Sequence, residues 1–477
     1  MTPLMHRARL SGFVCVVVLL TACAWPGPRH EPAKTLELTQ LGVSGNASPA
    51  LNRDWWTQWQ QPELTQTIEQ ALKSHPSLAV AQARLRMTQA ALGGAQAMRA
   101  PQIGVGYDVT RERFSQNGFY LPPIAGNVYN IGNVQLGGSW DLDAFGQRTG
   151  EIAASLDQTL AAQADADAAA LTLASQITKV YLNLARLVSQ ERLLGQMADK
   201  SAEIATLSQQ RAQAGIDGDS SYQSARNSLQ NLRVAQAQVL EQQDLLRHQL
   251  AALSAQSPQS LASLQPDLIQ MTLPRVHGQL GLDLVARRPD VSAAKWRVQA
   301  SIQGVKASER QFYPNVSLNG FAGVSAIGMN NLLESASRQQ GVGLAIHLPL
   351  FDGGRLRALL KGKQSELDLN IAVYNQIVMD AVRESVDALT SWQSLDVQAQ
   401  AQQQALQASE RVWAHAQARH EAGLSTRMAL LQADIQQLEQ QRQQMDVIAR
   451  QHLVQVDLIK ALGGGWQDPH PTAESKP

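Results

Sequence analysis

The positions of proline limit the fold of this chain more than any other feature of its sequence. No proline occurs between Pro123 and Pro258 or between Pro349 and Pro469. Proline removes a backbone donor and clashes with the preceding helical turn, so stretches without it can form very long helices. A helix over 150–214 would measure roughly 95 Å at about 1.5 Å per residue. No compact domain core needs rods of that length.

Apolar residues recur at three- and four-residue spacing within both proline-free stretches. The first seam comprises Leu173, Ile177, Val180, Leu184, Leu187 and Leu194, and the second comprises Ile371, Tyr374, Val378, Val382 and Leu389. This spacing places each set on one narrow helix face and predicts two amphipathic helices. Coiled-coil packing explains such seams by itself, so they indicate architecture and not chemistry.

An internal repeat divides the chain into two related halves. Pro76, Leu78, Arg84 and Pro101 align with Pro289, Val291, Arg297 and Pro314, always at an offset of 213 residues. Further along, 146–148 aligns with 354–355, and 211–216 with 419–424, at an offset of 208. The sequence therefore predicts a tandem duplication, with five residues lost from the second half between its two registers.

Between the helical stretches, the pattern changes to that of strands. In the first repeat, the apolar residues are Ile103, Val105, Tyr107 and Val109, followed by 131–140. In the second repeat, Val342, Leu344, Ile346, Leu348 and Leu350 alternate strictly, and Val316, Leu318 and Phe321 before them follow a looser form of the pattern. Each repeat thus predicts one hairpin, at about 101–141 and about 314–350. Strands of about ten residues suit a transmembrane β-barrel. Four strands cannot close one, so we expect copies of the chain to pool strands, eight in a dimer or twelve in a trimer.

Residues 1–22 have the features of a secretory signal peptide. Basic residues at 6, 7 and 9 precede an apolar run from Phe13 to Leu20. That run is shorter than the ~20 residues of a spanning helix, which favours a segment that directs export and is then removed.

The two cysteines, Cys15 and Cys23, both lie near the start of the chain. Disulfides, thiolate metal sites and cysteine catalysis are therefore excluded from the rest. Residues 20–23 resemble the bacterial lipobox, which would make Cys23 the lipidated first residue of the mature protein. Ala24 follows it in place of the aspartate associated with inner-membrane retention, which by resemblance favours the outer membrane.

Composition excludes several classes of protein. Lysine plus arginine total 40 and aspartate plus glutamate total 40, so the net charge is zero and the footprint of nucleic-acid binding is missing. A hydrophobic content of 44% with a mean hydropathy of -0.21 excludes a polytopic helical membrane protein. The sequence has no phosphate-binding loop and no His-Glu-x-x-His motif, and its ten histidines are scattered. We therefore expect no enzyme, no metal site and no cofactor apart from the covalent lipid on Cys23.

Several short motifs, each weak alone, occur in a characteristic order. They are Trp55-Trp56 with Pro62-Glu63-Leu64, then 140–146, Arg287-Arg288-Pro289-Asp290-Val291 with Ala293-Ala294, Tyr313-Pro314, 350–355 and 461–466. Their order resembles that of the outer membrane efflux proteins, a TolC/OprM-like family, in its lipoprotein or nodulation-protein-T-type branch. The resemblance covers nearly all of 23–466.

The resemblance implies a mainly α fold with a small β part. A homotrimer would share a twelve-stranded transmembrane β-barrel that continues into a long periplasmic α-helical barrel. Shorter helices would stack end to end, 63–100 with 217–256 and 280–312 with 426–462. The implied division of the chain is 1–22 signal peptide, 23–62 lipidated N-terminal segment, 63–280 repeat 1 with long helices over 150–256, 281–466 repeat 2 with long helices over 354–462, and 467–477 C-terminal tail.

The implied function is the outer-membrane channel of a tripartite multidrug efflux system, a passive exit duct for drugs and toxic solutes. An inner-membrane pump would supply energy through a periplasmic adaptor, or membrane fusion, protein. The sequence leaves open whether that pump is of the resistance-nodulation-division or the major-facilitator type. One alternative is the duct of a type I protein secretion system. Another is a structural envelope lipoprotein, which would explain the rods and Cys23 but not four alternating strands.

By the same resemblance, two repeated turns form the tip that adaptors grip. They are Ala214-Gly215-Ile216 and Ala422-Gly423-Leu424. Glycine at a helix end accepts a left-handed conformation, and exposed Ile216 and Leu424 would offer apolar contact. The alternative interpretation is that these glycines only cap the helices and have no docking role.

At the predicted gate, the sequence departs from the best-known members of the family. TolC-type channels carry aspartates six and nine residues after the second tip glycine, where this chain has Ala429 and Gln432. The first repeat has Ser221 and Ser224 at the equivalent positions. We therefore expect closure by packing, with Met428 and Leu431 as candidates for an apolar constriction. Asp217 and Asp219 are expected to remain solvated charges at the tip.

Overall fold

The structure, a computed structural model, describes residues 30–36, 52–274 and 287–470. Its helices are α1 (Pro62–Ser74), α2 (Pro76–Ala97), α3 (Gln147–Gln213), α4 (Asp219–Leu253), α5 (Pro289–Arg310), α6 (Arg355–Glu421) and α7 (Arg427–Ala461). Its strands are β1 (Gln102–Arg113), β2 (Val128–Asp141), β3 (Asn315–Ile327) and β4 (Arg338–His347). The prediction of a mainly α fold with a small β part is confirmed. The signal segment 1–22 and Cys23 lie outside the described residues.

The tandem duplication is confirmed by the bounds of the helices. Helices α2 and α5 both have 22 residues, and their starts at Pro76 and Pro289 differ by the predicted offset of 213. Helices α3 and α6 both have 67 residues, and α4 and α7 both have 35. These two pairs keep the offset of 208, so the five residues are lost within the hairpins.

The predicted helix over 63–100 is interrupted near its start. Helix α1 ends at Ser74, and His75 has extended backbone angles before α2 begins at Pro76. A residue that precedes proline disfavours the helical conformation, which explains the break. Proline at the first position of α2 causes no loss, because that position has no helical acceptor for its N–H.

The two apolar seams differ in how well they mark the buried faces. All six residues of the first seam are buried. In the second seam, Ile371 and Val378 are buried, but Val382 and Leu389 are only half-buried. The buried face of α6 instead passes through Ala381, Ser385 and Ala388. The Ser385 hydroxyl donates to the Ala381 carbonyl at 2.8 Å, which lets a polar residue take a core position that an apolar pattern overlooks.

The described residues form two compact units. Of the described residues, the sheet unit comprises 30–35, Arg84–Ala162 and Ala294–Tyr374, and the helix unit comprises 36, 52–83, 163–274, 287–293 and 375–470. The two long helices, α3 and α6, contribute residues to both units.

The sheet unit contains four antiparallel strands in the order β1-β2-β3-β4. Each repeat supplies one hairpin, as predicted, and β2 pairs with β3 to join the two. Strands β1 and β4 are the edges, and neither has a second partner strand within the described part of the chain.

The register gives this sheet one face that is apolar over most of its length, with Arg111, Arg113 and Arg338 at its loop end, and one mainly polar face. Because directly opposed residues point to the same side, the apolar face carries Ile103, Val105, Tyr107, Val109, Val134, Leu136, Trp140, Val316, Leu318, Val324, Val342, Leu344 and Ile346. On the other face, Asn133 donates to Asp108 at 3.2 Å and accepts from Gln339 at 3.2 Å. One apolar and one polar face is the pattern of strands that separate lipid from water.

Two details of the strand prediction were wrong. Strand β4 ends at His347, so Leu348 and Leu350 lie beyond it. Phe321 points to the polar face, where it opposes Gly341. A Cβ atom on Gly341 would lie 2.7 Å from the Phe321 ring, so the ring occupies the space that the glycine leaves.

In the helix unit, cross-helix hydrogen bonds define the order α4-α3-α7-α6. Gln236 of α4 donates to Glu191 of α3 at 3.1 Å. Further bonds join Arg186 of α3 to Asp446 of α7 at 3.1 Å, and Arg450 of α7 to Gln398 of α6 at 2.9 Å. Helices α4 and α6 are therefore the outer members of this layer.

Two of the sequence motifs meet in the helix unit. The buried guanidinium of Arg288 donates to Asp290 at 2.8 Å and to Glu384 at 2.8 Å. Beside it, Gly463 has a φ of +83°, and a Cβ atom there would lie 2.7 Å from the Arg287 carbonyl oxygen. These two motifs therefore pack against each other.

A tryptophan cluster packs into the hydrophobic core of the helix unit. Trp55 and Trp59 lie in a short 3₁₀ helix, and both are buried. The Trp59 indole N–H donates to Nδ1 of buried His452 on α7 at 3.0 Å. Burial lowers the pKa of His452 to about 4, so this ring is neutral at pH 7.

We expect His452 to make stability depend on pH. An unfolded histidine takes up a proton near pH 6.5, whereas folded His452 resists protonation until about pH 4. The stabilising contribution is complete above pH 6.5 and is lost as the pH falls towards 4, amounting to about 2 kcal/mol between pH 7 and pH 5. Chemical unfolding of the wild type at these two pH values, compared with His452→Gln, measures it.

The matched control is His415→Gln, which alters an exposed histidine on α6. It should leave the pH dependence of unfolding unchanged. An equally steep pH dependence in the His452→Gln protein would contradict the assignment.

Candidate functional site: the turns that end the long helices

The two predicted tip turns have the same backbone geometry. Gly215 and Gly423 have φ values of 68° and 72°, in the left-handed region that favours glycine. After α3, the Ile216 N–H donates to the Arg211 carbonyl at 2.9 Å, and the Gly215 N–H donates to the Ala212 carbonyl at 3.0 Å. This pair of bonds is a Schellman motif.

The second turn repeats this motif after α6. The Leu424 N–H donates to the Arg419 carbonyl at 2.8 Å, and the Gly423 N–H donates to the His420 carbonyl at 2.9 Å. The predicted left-handed glycine caps are thus confirmed in both repeats.

Both turns leave an apolar side chain in solvent. In a Schellman motif, the residue after the glycine commonly packs back onto the last helical turns. Here Ile216 is 63% exposed and Leu424 is 70% exposed, and Ala214 and Ala422 beside them are exposed too. Capping accounts for the glycines, but it does not account for two exposed branched apolar residues.

The tip charges differ from the expectation. The Arg211 guanidinium holds both carboxylate oxygens of Asp217, at 2.6 and 3.0 Å, so Asp217 is paired within its turn. Its hydrogen bond to Arg211 lowers the pKa of Asp217. Asp219, the first residue of α4, is exposed, as expected.

The second turn is held by different contacts. His420 Nδ1 lies 3.2 Å from the Ser425 carbonyl oxygen, and the Thr426 hydroxyl caps α7 by accepting from the Ala429 N–H. Arg427 occupies the position that Asp219 has in the first repeat. Its guanidinium holds Glu203 of α3 at 2.7 and 3.0 Å.

Next to the turns, α3, α4 and α7 enclose a groove of about 850 Å³. Four of the six gate candidates line it: Ser221, Ser224, Met428 and Gln432. The structure therefore brings together predicted residues that are about 200 positions apart in the sequence.

The other two gate candidates do not line the groove. Leu431 is fully buried, so it belongs to the packed core and its prediction as an apolar constriction was wrong. Met428 and Gln432 are four residues apart and share one face of α7, whereas Leu431 directly precedes Gln432 and lies about 100° around the helix from it. Ala429 is exposed at the start of α7.

Further groove residues were missed by the sequence analysis. They are Ser201, Ile204 and Ser208 of α3, Ser220, Ala225, Ser228, Asn231 and Leu232 of α4, and Ile435 of α7. The four-residue spacing of Ser220, Ser224 and Ser228 was the available signal. No charged side chain is among the lining residues.

The structure describes residues 30–36, 52–274 and 287–470. In those parts, no cluster of histidine, cysteine, aspartate or glutamate has the arrangement of a metal site. Over the same residues, no helix carries a sufficiently long apolar stretch to cross a membrane.

Two duplicated helical hairpins and a four-stranded sheet with one mainly apolar face define the class of this protein. It is a mostly helical protein with a small sheet suited to a membrane. Comparison with known families is consistent with this class. The chain belongs to the outer membrane efflux protein family, whose model matches residues 67–256 and 281–464. This is a family of channels and not of enzymes.

Individual relatives extend over nearly the whole chain. Multidrug resistance outer membrane protein MdtP of Shigella flexneri is 27% identical over 483 residues, covering 97% of each chain. MdtQ of Escherichia coli O157:H7 is 28% identical over 469 residues, covering 95% of this chain and 97% of its own. The crystal structure of the outer membrane protein VceC from Vibrio cholerae is similar with a TM-score of 0.79 and 29% identity, covering 87% of this chain and all of that one.

Family membership confirms the prediction of an outer membrane efflux protein. The docking role of the tips, the role of the gate residues and the lipid on Cys23 stay predictions.

Proposed function

We propose that this chain is the outer-membrane channel of a tripartite multidrug efflux system and acts as a passive exit duct for drugs and toxic solutes. The observation that carries the proposal is the amphipathic sheet with two open edges, within a chain that belongs to the outer membrane efflux protein family. Relatives over nearly its full length are named as multidrug resistance outer membrane proteins.

The open edges support assembly into a homotrimer. Unpaired backbone groups of β1 and β4 cannot remain exposed to hydrocarbon, so each edge needs a strand from another copy. Three copies would supply twelve strands, with the apolar face towards lipid. In the helix unit, the outer helices α4 and α6 are likewise available to neighbouring copies.

Two attachments complete the proposal. Cys23 carries covalent lipid, an auxiliary anchor in the outer membrane. The exposed tip residues Ile216 and Leu424 bind a periplasmic adaptor, which connects the channel to an inner-membrane pump. The pump supplies the energy and selects the substrates, so this chain needs no catalytic site.

Deletion of the gene tests the proposed function. A strain without the chain should become sensitive to a panel of toxic compounds, while its set of secreted proteins stays unchanged. Complementation by the wild-type gene should restore resistance. Unchanged drug sensitivity together with the loss of a secreted protein would favour the secretion duct instead.

We expect charged replacements at the tips to abolish resistance. Aspartate at both Ile216 and Leu424 would place charge in the proposed apolar contact with the adaptor, which would then lose its desolvated anchors. Resistance in the complemented deletion strain and trimer level in the membrane are the measurements. The double variant should retain normal trimer and lose resistance.

The control for this pair is Ile269→Asp, because Ile269 is also exposed, at 60%, and lies away from both turns. It should keep full resistance. Normal resistance in the Ile216→Asp/Leu424→Asp strain would remove the docking role.

We expect the unmodified channel to be blocked only weakly by multivalent cations. Ala429 and Gln432 carry no charge, so converging copies of the chain would form no anionic ring from them. The double variant Ala429→Asp/Gln432→Asp should increase both cation selectivity and trivalent-cation block in single-channel recordings. Asparagine at the same two positions is the uncharged control and should leave both properties unchanged.

Micromolar block of the unmodified channel would contradict this assignment. It would indicate another acidic ring, for which exposed Asp219 is the candidate at the tip.

A further inference from the structure

The start of α6 carries an unusual concentration of positive charge. Arg355, Arg357, Lys361 and Lys363 fall within its first nine residues, and the first acid of the helix is Glu366. Cations at the amino end oppose the helix dipole and destabilise the helix. Helix stability therefore gives no reason for this arrangement.

Two of these cations have no counter-ion among the described residues. Lys363 pairs with Glu366 at 2.7 Å, and Arg355 lies within electrostatic reach of Asp352. Arg357 and Lys361 are exposed and form no ion pair with any residue that the structure describes. They are four residues apart on one helix face, where like charges repel each other. An anion between them would offset both the repulsion and the opposed dipole.

The equivalent helix in the first repeat differs. Helix α3 begins with Arg148 as its single cation in the first turns, and Arg148 pairs with Glu151 at 2.8 Å and with Asp141 at 3.4 Å. The backbone at the start of α6 is already capped, because the Asp352 carboxylate accepts from the Gly354 and Leu356 N–H groups. The groups that lack a partner among the described residues are thus the two cationic side chains, and not the backbone N–H groups at the helix start.

Exposed aromatic rings lie at the same end of the sheet. Phe351, between β4 and α6, is 81% exposed. Phe145, just after β2, and Tyr313, just before β3, stack with ring centroids 5.4 Å apart. In an antiparallel sheet, the end of β2, the start of β3 and the end of β4 lie at one end, so these rings all lie near that end of the sheet. Aromatic rings at the rim of an apolar face are typical of a lipid–water interface.

We propose that Arg357 and Lys361 bind the phosphate headgroup of an anionic phospholipid, while Phe351 contacts the acyl chains beside the sheet. This inference rests on the proposed function, since it requires the sheet to lie in the membrane. Arg357 is two residues from the start of α6 and Lys361 six, which places them about 3 and 9 Å along the helix from the sheet side. That is the depth of a headgroup layer. Both lipid classes carry a phosphodiester, but in a zwitterionic lipid the ammonium group neutralises its charge, so only an anionic lipid offers these two cations a net negative charge.

The test uses the purified full-length protein in detergent with phosphatidylglycerol and phosphatidylethanolamine that have the same acyl chains. Native mass spectrometry measures which lipid stays bound. The wild type should prefer phosphatidylglycerol, and Arg357→Gln/Lys361→Gln should weaken binding of that lipid by about thirtyfold. The charge-conserving variant Arg357→Lys/Lys361→Arg should retain the preference.

The matched control is Arg84→Gln/Arg86→Gln. These two exposed arginines lie on α2, which leads into β1, but they are at least 11 residues from its end at Ala97 and therefore beyond the headgroup layer. This variant should bind phosphatidylglycerol as the wild type does. An equal preference in the wild type and Arg357→Gln/Lys361→Gln, or none in the wild type, would overturn the proposal.

Two further measurements separate the possible failures. Soluble glycerol 3-phosphate should not displace the lipid, and displacement at matched concentration would mean a site for small phosphates instead. Conductance of the same preparations in planar bilayers reports on the channel itself. A conducting wild type without lipid preference refutes only this inference, whereas a protein that forms no channel refutes the proposed function.

Discussion

The proposed assembly depends on one constraint, the unpaired edges of a four-stranded sheet. Strands β1 and β4 each present a row of backbone N–H and C=O groups without a partner among the described residues. Water can satisfy such groups, but hydrocarbon cannot, and each unsatisfied group costs several kcal/mol there. Since the apolar face places the sheet in hydrocarbon, water cannot satisfy the edge groups. A second copy of the chain can supply their hydrogen-bond partners. The amphipathic pattern and the open edges therefore lead to the same requirement.

The duplication explains why both edges are available. Each repeat supplies a hairpin, and the hairpins join through β2 and β3, which leaves one edge strand from each repeat. The helix unit follows the same rule: α3 and α7 are the inner members, and α4 and α6, one from each repeat, are the outer ones. A contact between copies would thus bring repeat 1 of one chain against repeat 2 of the next. Equal helix lengths in the two repeats let that contact resemble the one within the chain.

Much of the fold was predictable because local chemistry sets the ends of its elements. Proline starts α2 and α5, and glycine ends α3 and α6, each for a steric reason that acts within one helical turn. The offsets of the repeat could be read from the same residues. Alternation predicted the faces of β1 and β4, since each direct pair in the register preserves it.

The errors arose where a residue's environment depends on parts of the chain outside its own helix, strand or turn. Phe321 points to the polar face because Gly341, on the next strand, leaves space for its ring. Leu431 is apolar and near the predicted gate, but only the position of the neighbouring helices decides that it is core. Asp217 was expected to be solvated, yet Arg211, six residues earlier, reaches it across the turn. No pattern within one element contains this information.

The tip turns show how two equal backbones acquire different surfaces. Both turns use the same pair of hydrogen bonds around a left-handed glycine, and both expose a branched apolar residue. Their charges differ: the first turn pairs Arg211 with Asp217 and exposes Asp219, whereas the second places Arg427 at the position of Asp219. Because Arg427 pairs with Glu203 of α3, the ion pair of the second turn joins two helices, whereas the ion pair of the first turn joins Asp217 to the helix that precedes it. A partner that grips both turns would therefore meet equal apolar contacts, while the electrostatic difference distinguishes one repeat from the other.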